Sequence, residues 1–197
     1  MFTYPEHIVQ PLNDKINVFK FSPAVAYIFS LCSGISEEMI MATKIYPRTF
    51  LRFIPLYRAV HGGGAITLGS KNWQSITLTE NFFSNDSDKY GRAAYANAHQ
   101  SWMRLCAHEI GHIKHTQKYG WLFWYLLVFA YEYMRYGHDG SSLEAEAEQV
   151  SKEYTRFNSF VNSCISPEAL QKLLEVNIDE KFKKEKILAW WQQFKNA

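Results

Sequence analysis

An α+β fold, mostly helical and with a small β-hairpin ahead of one long helix, is what this sequence predicts, and three observations carry it. Two short β-favouring runs, Ala65 to Leu68 and Ser75 to Thr79, flank a Gly-Ser-Lys-Asn turn. Behind them, a segment from about Ala93 to Lys118 places Ala94, Ala98, Trp102, Leu105, Cys106, Ile110 and Ile113 at spacings of three and four, the period of a helix with one apolar face. After Gly120 the helical patterns follow one another to the C-terminus.

Each element has its local reason. Helical stretches are predicted near residues 22–32 and, after the acidic pair of "SEEMIMATKIY", near 36–45, with Pro47 and Pro55 as breaks. A helix over about Trp121 to Tyr136 ends at Gly137. The next starts at Ser141 or Ser142 and carries "LEAEAEQVSKEYTRF". Ser166-Pro167-Glu168 starts another, and Asp179 opens a charged amphipathic helix containing Trp190 and Trp191. No repeat or long linker divides the chain, so 1–197 reads as a single domain.

Composition narrows the function. With 197 residues, 47% hydrophobic and 20% charged, the chain has the make-up of a globular protein with a real core. A net charge of +2, with C-terminal lysines interleaved by acids, excludes the basic excess of a nucleic-acid binder. Cys32, Cys106 and Cys164 are odd in number and have no CxxC spacing, so reduced and mostly buried thiols are expected. The N-terminus lacks a basic opening and an apolar stretch directly behind it, which makes the cytoplasm the default location; a specialised secretion route would leave the same trace. "SPAVAYIFSLCSG" reads as a buried helix. "WLFWYLLVFAYEYM" is shorter than the roughly twenty residues of a bilayer span and reads as a core helix. Contact of residues 121–134 with a membrane or partner is the minor alternative.

The chemistry concentrates in "CAHEIGHIKH". His108 and His112 are four apart and project from one face of the helix, so both imidazoles can reach one zinc ion at about 2 Å. Glu109, beside the first ligand, is placed as general base toward water activated at the metal. An HExxH arises by chance on the order of once or twice in a hundred such sequences, but here it falls inside an amphipathic helix, with Ala107 and Gly111 small enough for close approach.

A third ligand must come from elsewhere. The pattern HExxHxxGxxH would need Gly at 115 and His at 118, where this chain has His115 and Lys118. His115 lies about 10 Å along the axis from His108, too far to share one ion, and reads as a surface histidine or as one supporting the site from behind. "SSLEAEAEQ" supplies acids downstream. Glu144 and Glu148 share a face, while Glu146 points about 160° from it, so one of the pair can bind the ion and the other can orient an imidazole through its free N–H. Ser141-x-x-Glu144 also fits a capping box, a conflict that a cap at Ser142 would remove. Glu144 ranks first as ligand, with Glu148 and then Glu146 as substitutes.

On "AITLG", "HEIGHIKH", the aromatic helix and "LEAEAE", the chain resembles small bacterial zincin-like metallopeptidase domains of the gluzincin type, over residues 65–148. The resemblance implies His108, His112 and Glu144 as zinc ligands, Glu109 as catalytic base, and a sheet bordering the cleft whose edge strand pairs with extended substrate. It departs from such domains at His115, often Gln, and at Ser141-Ser142-Leu143, often Asn-Pro before the glutamate. The expected activity is peptide or amide hydrolysis on a protein or peptide substrate, with His138, Tyr133 and Tyr136 as candidates for stabilising the oxyanion. Alternatives are a metal-stabilised binding or assembly module without catalysis, and a peptidase-type effector or toxin.

Overall fold

The computed structural model describes residues 4–13, 16–47, 65–78, 82–83 and 98–197, without the side chains of 13, 16, 138 and 139. It is α+β and mostly helical. A five-stranded sheet is formed by β1 (Val9–Asn13), β2 (Ile16–Phe21), β3 (Lys44–Pro47), β4 (Ala65–Ser70) and β5 (Trp73–Leu78), in the order β1-β2-β3-β5-β4. Only β3 and β5 run parallel. The helices are α1 (Pro23–Ser33), α2 (Glu37–Ala42), α3 (Ala98–Tyr119), α4 (Leu122–Gly140), α5 (Ser142–Cys164), α6 (Ala169–Glu175) and α7 (Glu180–Asn196).

The expected hairpin is β4–β5, with Ser70 opposite Trp73, so the turn is the two residues Lys71 and Asn72 and the strands run longer than their β-favouring cores. Three strands come in addition. β1 contains Pro11, which lacks an N–H for the ladder and is tolerated because β1 is an edge strand. The helix expected over 36–45 ends at Ala42, since Lys44–Pro47 pairs with Ser75–Leu78 instead. Ile45, fully buried, lies between Phe19 and Ile76 in that sheet, and tertiary pairing overrides the local pattern. Residues 48–64, Thr79 and the expected helix start at 93–97 lie outside the described residues.

The apolar stretch near the N-terminus is a buried helix, as read. Pro23 occupies the first turn of α1, Gly34 closes it at φ 73°, and the Ala24 N–H donates to Glu180 Oε2 of α7 at 2.9 Å. Phe29 of α1 meets Phe21 of β2 and Tyr154 of α5 edge to face, at 5.3 and 6.3 Å, which locks sheet and helices into one core. Burying each such ring contributes roughly 2–3 kcal/mol. Phe157 of α5 packs on Trp191 of α7 at 5.1 Å. At the C-terminus, α6 begins at Ala169 behind Glu168 (φ 59°) rather than at Ser166, while Asp179 caps α7. No disulfide joins Cys32, Cys106 and Cys164; Cys106 is buried, Cys32 half-buried and Cys164 exposed, where mostly buried thiols were expected.

The contact that sets the site is the crossing of α3 and α5. At Gly111 a Cβ would stand 2.5 Å from Ala147 Cα and 2.8 Å from Ala147 O, so only glycine fits. Gly111→Ala should therefore cost about 1–3 kcal/mol by forcing the helices apart. Urea unfolding measures it, and an unchanged midpoint would remove this crossing as a packing constraint.

Candidate metal centre

His108 and His112 stand one turn apart on α3, with their Nε2 atoms 3.2 Å from each other. Glu144, in the first turn of α5, brings Oε2 to 3.1 Å from Nε2 of His108 and 3.6 Å from Nε2 of His112. A tetrahedral ion bonded at about 2.0–2.1 Å separates its donors by about 3.3 Å. The three edges measured here bracket that length. Among the described residues, this trio is the one group of histidine, cysteine or acidic side chains arranged to hold a metal ion.

Hydrogen bonding behind the trio fixes the tautomers. An ionised carboxylate only accepts, so without a metal His108 donates from Nδ1 to Glu148 Oε2 at 3.3 Å and from Nε2 to Glu144 Oε2 at 3.1 Å; a cation at the convergence point would replace the Nε2 proton while Glu148 kept Nδ1 protonated. On the other side, His115 Nε2 donates to Glu146 Oε2 at 2.9 Å, which makes its Nδ1 the acceptor. His112 Nδ1, 3.3 Å from that atom, must then donate, and its Nε2 is bare. Two Nε2 atoms and a carboxylate oxygen thus converge on one point. Groups this close need positive charge between them, a proton or a cation, and two imidazoles with one carboxylate form a donor set that could hold a metal ion.

Protonation equilibria reflect the same demand. Burial opposes a charge on His108, yet the hydrogen bonds from Glu144 and Glu148 outweigh it and push the pKa up to about 10. Burial also opposes ionisation of Glu144, but His108 and His112 hold it well below the usual carboxylate range. For Glu148, His108 and Arg104 overcome burial and bring it down to about 2. Burial, then neighbouring His112, lowers the pKa of His115, which keeps that ring neutral as the tautomer chain needs.

No protein-family model matches the chain, and neither a curated protein nor a solved structure matches it.

Glu109 is buried next to the trio. Thr67 of β4 donates its hydroxyl to Glu109 Oε2 at 2.6 Å and lies 3.0 Å from the Glu109 carbonyl oxygen, so the strand fixes the carboxylate beside the two imidazoles. β4 is the edge of the sheet among the described residues. The expected capping conflict at Glu144 has a different solution from a cap at Ser142. Ser141 is the N-cap, and Glu132 of α4 accepts from the Ser142 N–H at 2.8 Å, which leaves Glu144 to face the histidines.

Several residues escaped the sequence reading. Thr67, bonded to Glu109, and Arg104, paired with Glu148, were not singled out. His115 is fully buried, so its surface reading is excluded, and Glu146 reaches it although helix geometry turned that side chain away from Glu144 and Glu148. The close Gly111–Ala147 crossing lets residues on both sides of Ala147 touch α3. The i, i+3 spacing of His112 and His115 was the available signal. Of the oxyanion candidates, Tyr136 is exposed with Arg135 over its ring, Tyr133 stacks on Phe129, and the His138 side chain lies outside the described residues. Tyr125, on the inner face of α4, is the tyrosine that senses the site: burial first, then the Glu109 and Glu144 carboxylates, raise its pKa and keep its O–H protonated.

Two outcomes follow from this geometry. His115→Leu should weaken zinc affinity about tenfold to a hundredfold by unlocking the His112 tautomer, while His115→Gln, able to accept from Nδ1, should retain most of it; competition with a chromogenic chelator reads both. In chelator-treated protein, the raised His108 pKa stabilises the fold fully below about 6.5, and that contribution is lost as pH climbs toward about 10. A series of urea midpoints across that window should fall, and saturating zinc should flatten the decline.

Proposed function

We propose that this protein is a zinc-dependent metallopeptidase of the gluzincin type, hydrolysing peptide bonds. The observation that carries the reading is the convergence of two imidazole Nε2 atoms and one carboxylate oxygen beside a buried glutamate. His108, His112 and Glu144 would hold the ion. The chemistry such an ion supplies when bound is polarisation of the scissile carbonyl and a lowered pKa, to about 7, for water beside it.

The chain's own residues do the rest. Glu109 accepts the proton of the attacking water and returns it to the leaving nitrogen. Thr67 occupies one of its oxygens and leaves the other for the proton. Glu148 and the His115–Glu146 pair hold the two imidazoles in register from behind. Tyr125, kept as a neutral O–H donor by its burial, is positioned to stabilise charge developing on the substrate oxygen. Among the described residues β4 is the edge strand of the sheet, beside Glu109, and an extended peptide could add to it, which supports a polypeptide substrate over a small molecule.

The test compares three proteins. Wild type should carry about one zinc per chain by elemental analysis and cleave members of a mixed fluorogenic peptide library. Glu109→Gln should keep the metal and lose at least about a hundredfold in kcat/KM. Glu144→Ala should lose the metal itself. Zinc content that is equal in wild type and Glu144→Ala would falsify the ligand assignment, and bound zinc with no Glu109-dependent cleavage would turn the reading to a metal-stabilised binding module. Thr67→Val should lower kcat with little change in zinc content.

A further inference from the structure

α4 is inside out. A helix on a protein surface normally turns its apolar stripe to the core and its polar face to water. Here Tyr125 is buried and Glu132 faces inward on the Ser142 N–H, while Met134 is 80%, Phe123 64% and Trp124 57% exposed. At 100° per residue, Leu126, Phe123, Met134, Leu127, Tyr131 and Trp124 follow one another around the outward half of the helix. All six are at least 41% exposed, and Arg135 stands at the edge of the arc. Trp121, 74% exposed, extends the surface at the N-terminal end.

The rim of this surface is cationic. The Lys71 N–H donates to the Gly120 carbonyl at 3.0 Å, which ties the β4–β5 turn to the start of α4 and sets exposed Trp73 beside it. Lys71, Lys114 and Lys118 are all exposed there. Between Glu109 and Glu132 the sequence has no acidic residue. Broad aromatic and aliphatic area next to lysines matches the boundary between lipid headgroups and acyl chains, where Trp and Tyr are enriched and anionic headgroups attract cations. Insertion across the bilayer is a different matter, because none of the described helices is long and apolar enough to cross. A second copy of the chain would meet the lysines with the same lysines, and the carboxylates near Lys118 are engaged within the chain, Glu132 by the Ser142 N–H and Glu146 by His115.

We propose that α4 docks this protein peripherally on an anionic lipid bilayer, with the Phe123–Trp124–Leu127–Met134 face seated at the acyl boundary and Lys71, Lys114 and Lys118 on the headgroups. The proposal is independent of the metal site, and its test reads binding rather than hydrolysis. The full chain is co-sedimented with vesicles of phosphatidylcholine alone and of phosphatidylcholine mixed with phosphatidylglycerol, and its size without lipid is followed by analytical ultracentrifugation.

Binding to the mixed vesicles should exceed binding to the neutral ones and weaken with salt. Phe123→Ser with Trp124→Ser should reduce partitioning about tenfold or more, and Lys114→Gln with Lys118→Gln should lower binding to the anionic vesicles about tenfold. All four positions are exposed, so zinc content and unfolding midpoint should stay as in wild type. Absence of vesicle binding overturns the proposal, as does binding that ignores the aromatic substitutions. If the same substitutions instead abolish a concentration-dependent dimer while lipid binding is nil, the face belongs to a second copy and the bilayer assignment falls.

Discussion

The passage of α3 against α5 at Gly111 and Ala147 is the constraint on which the site depends. With a backbone atom of α5 where a side chain of α3 would otherwise stand, the two helices are nearer than larger residues would permit. Short side chains can then reach across from both. Glu144 lies one turn before Ala147 and Glu148 one residue after, and both meet His108, while Glu146 meets His115. The same carboxylates on helices separated by an alanine or leucine would stop short of the imidazoles. A single absent methyl group thus sets the distance over which the site's electrostatics act.

Given that proximity, hydrogen bonding alone specifies the electronic state of the site. Each imidazole has one nitrogen directed away from the convergence point and tied to an acceptor, Glu148 for His108 and the His115–Glu146 pair for His112. The other nitrogen of each is thereby directed at the convergence point. The arrangement is costly without positive charge, which is why His108 holds its proton so tightly and Glu144 loses its own so readily. Exchange of that proton for a divalent cation would relieve the same repulsion, so metal affinity and proton affinity are two readings of one cluster.

α4 contributes to this centre from behind while presenting a different surface outward. Its inward carboxylate, Glu132, caps α5 and so releases Glu144 from the capping duty that its position in the first turn invites. Its inward tyrosine, Tyr125, feels Glu109 and Glu144. The outward half spends a large apolar area on solvent, which the hydrophobic effect disfavours by about 25 cal/mol for every Å² left uncovered. Such a helix joins the centre to whatever covers its outer face, and the docking proposal gives that cover a chemical identity.

Local periodicity was enough to read the helical cores of α1, α3, α4, α5 and α7, the β4–β5 hairpin, and the side of α3 on which His108 and His112 stand, because each of these depends on residues within a turn or two of one another. The relation of Glu144 and Glu148 to one face was legible for the same reason. What stayed hidden depends on chain segments far apart in sequence. Pro11 disguised an edge strand, Ile45 left its helix for a partner in β5, Thr67 found Glu109 across forty-two positions, and α4 turned its apolar side outward. The order of residues by itself determined which side chains could act as ligands and on what helical face they lie; the tertiary structure alone decided that the faces meet within about 3 Å, since helix periodicity sets direction but only packing sets the distance between helices.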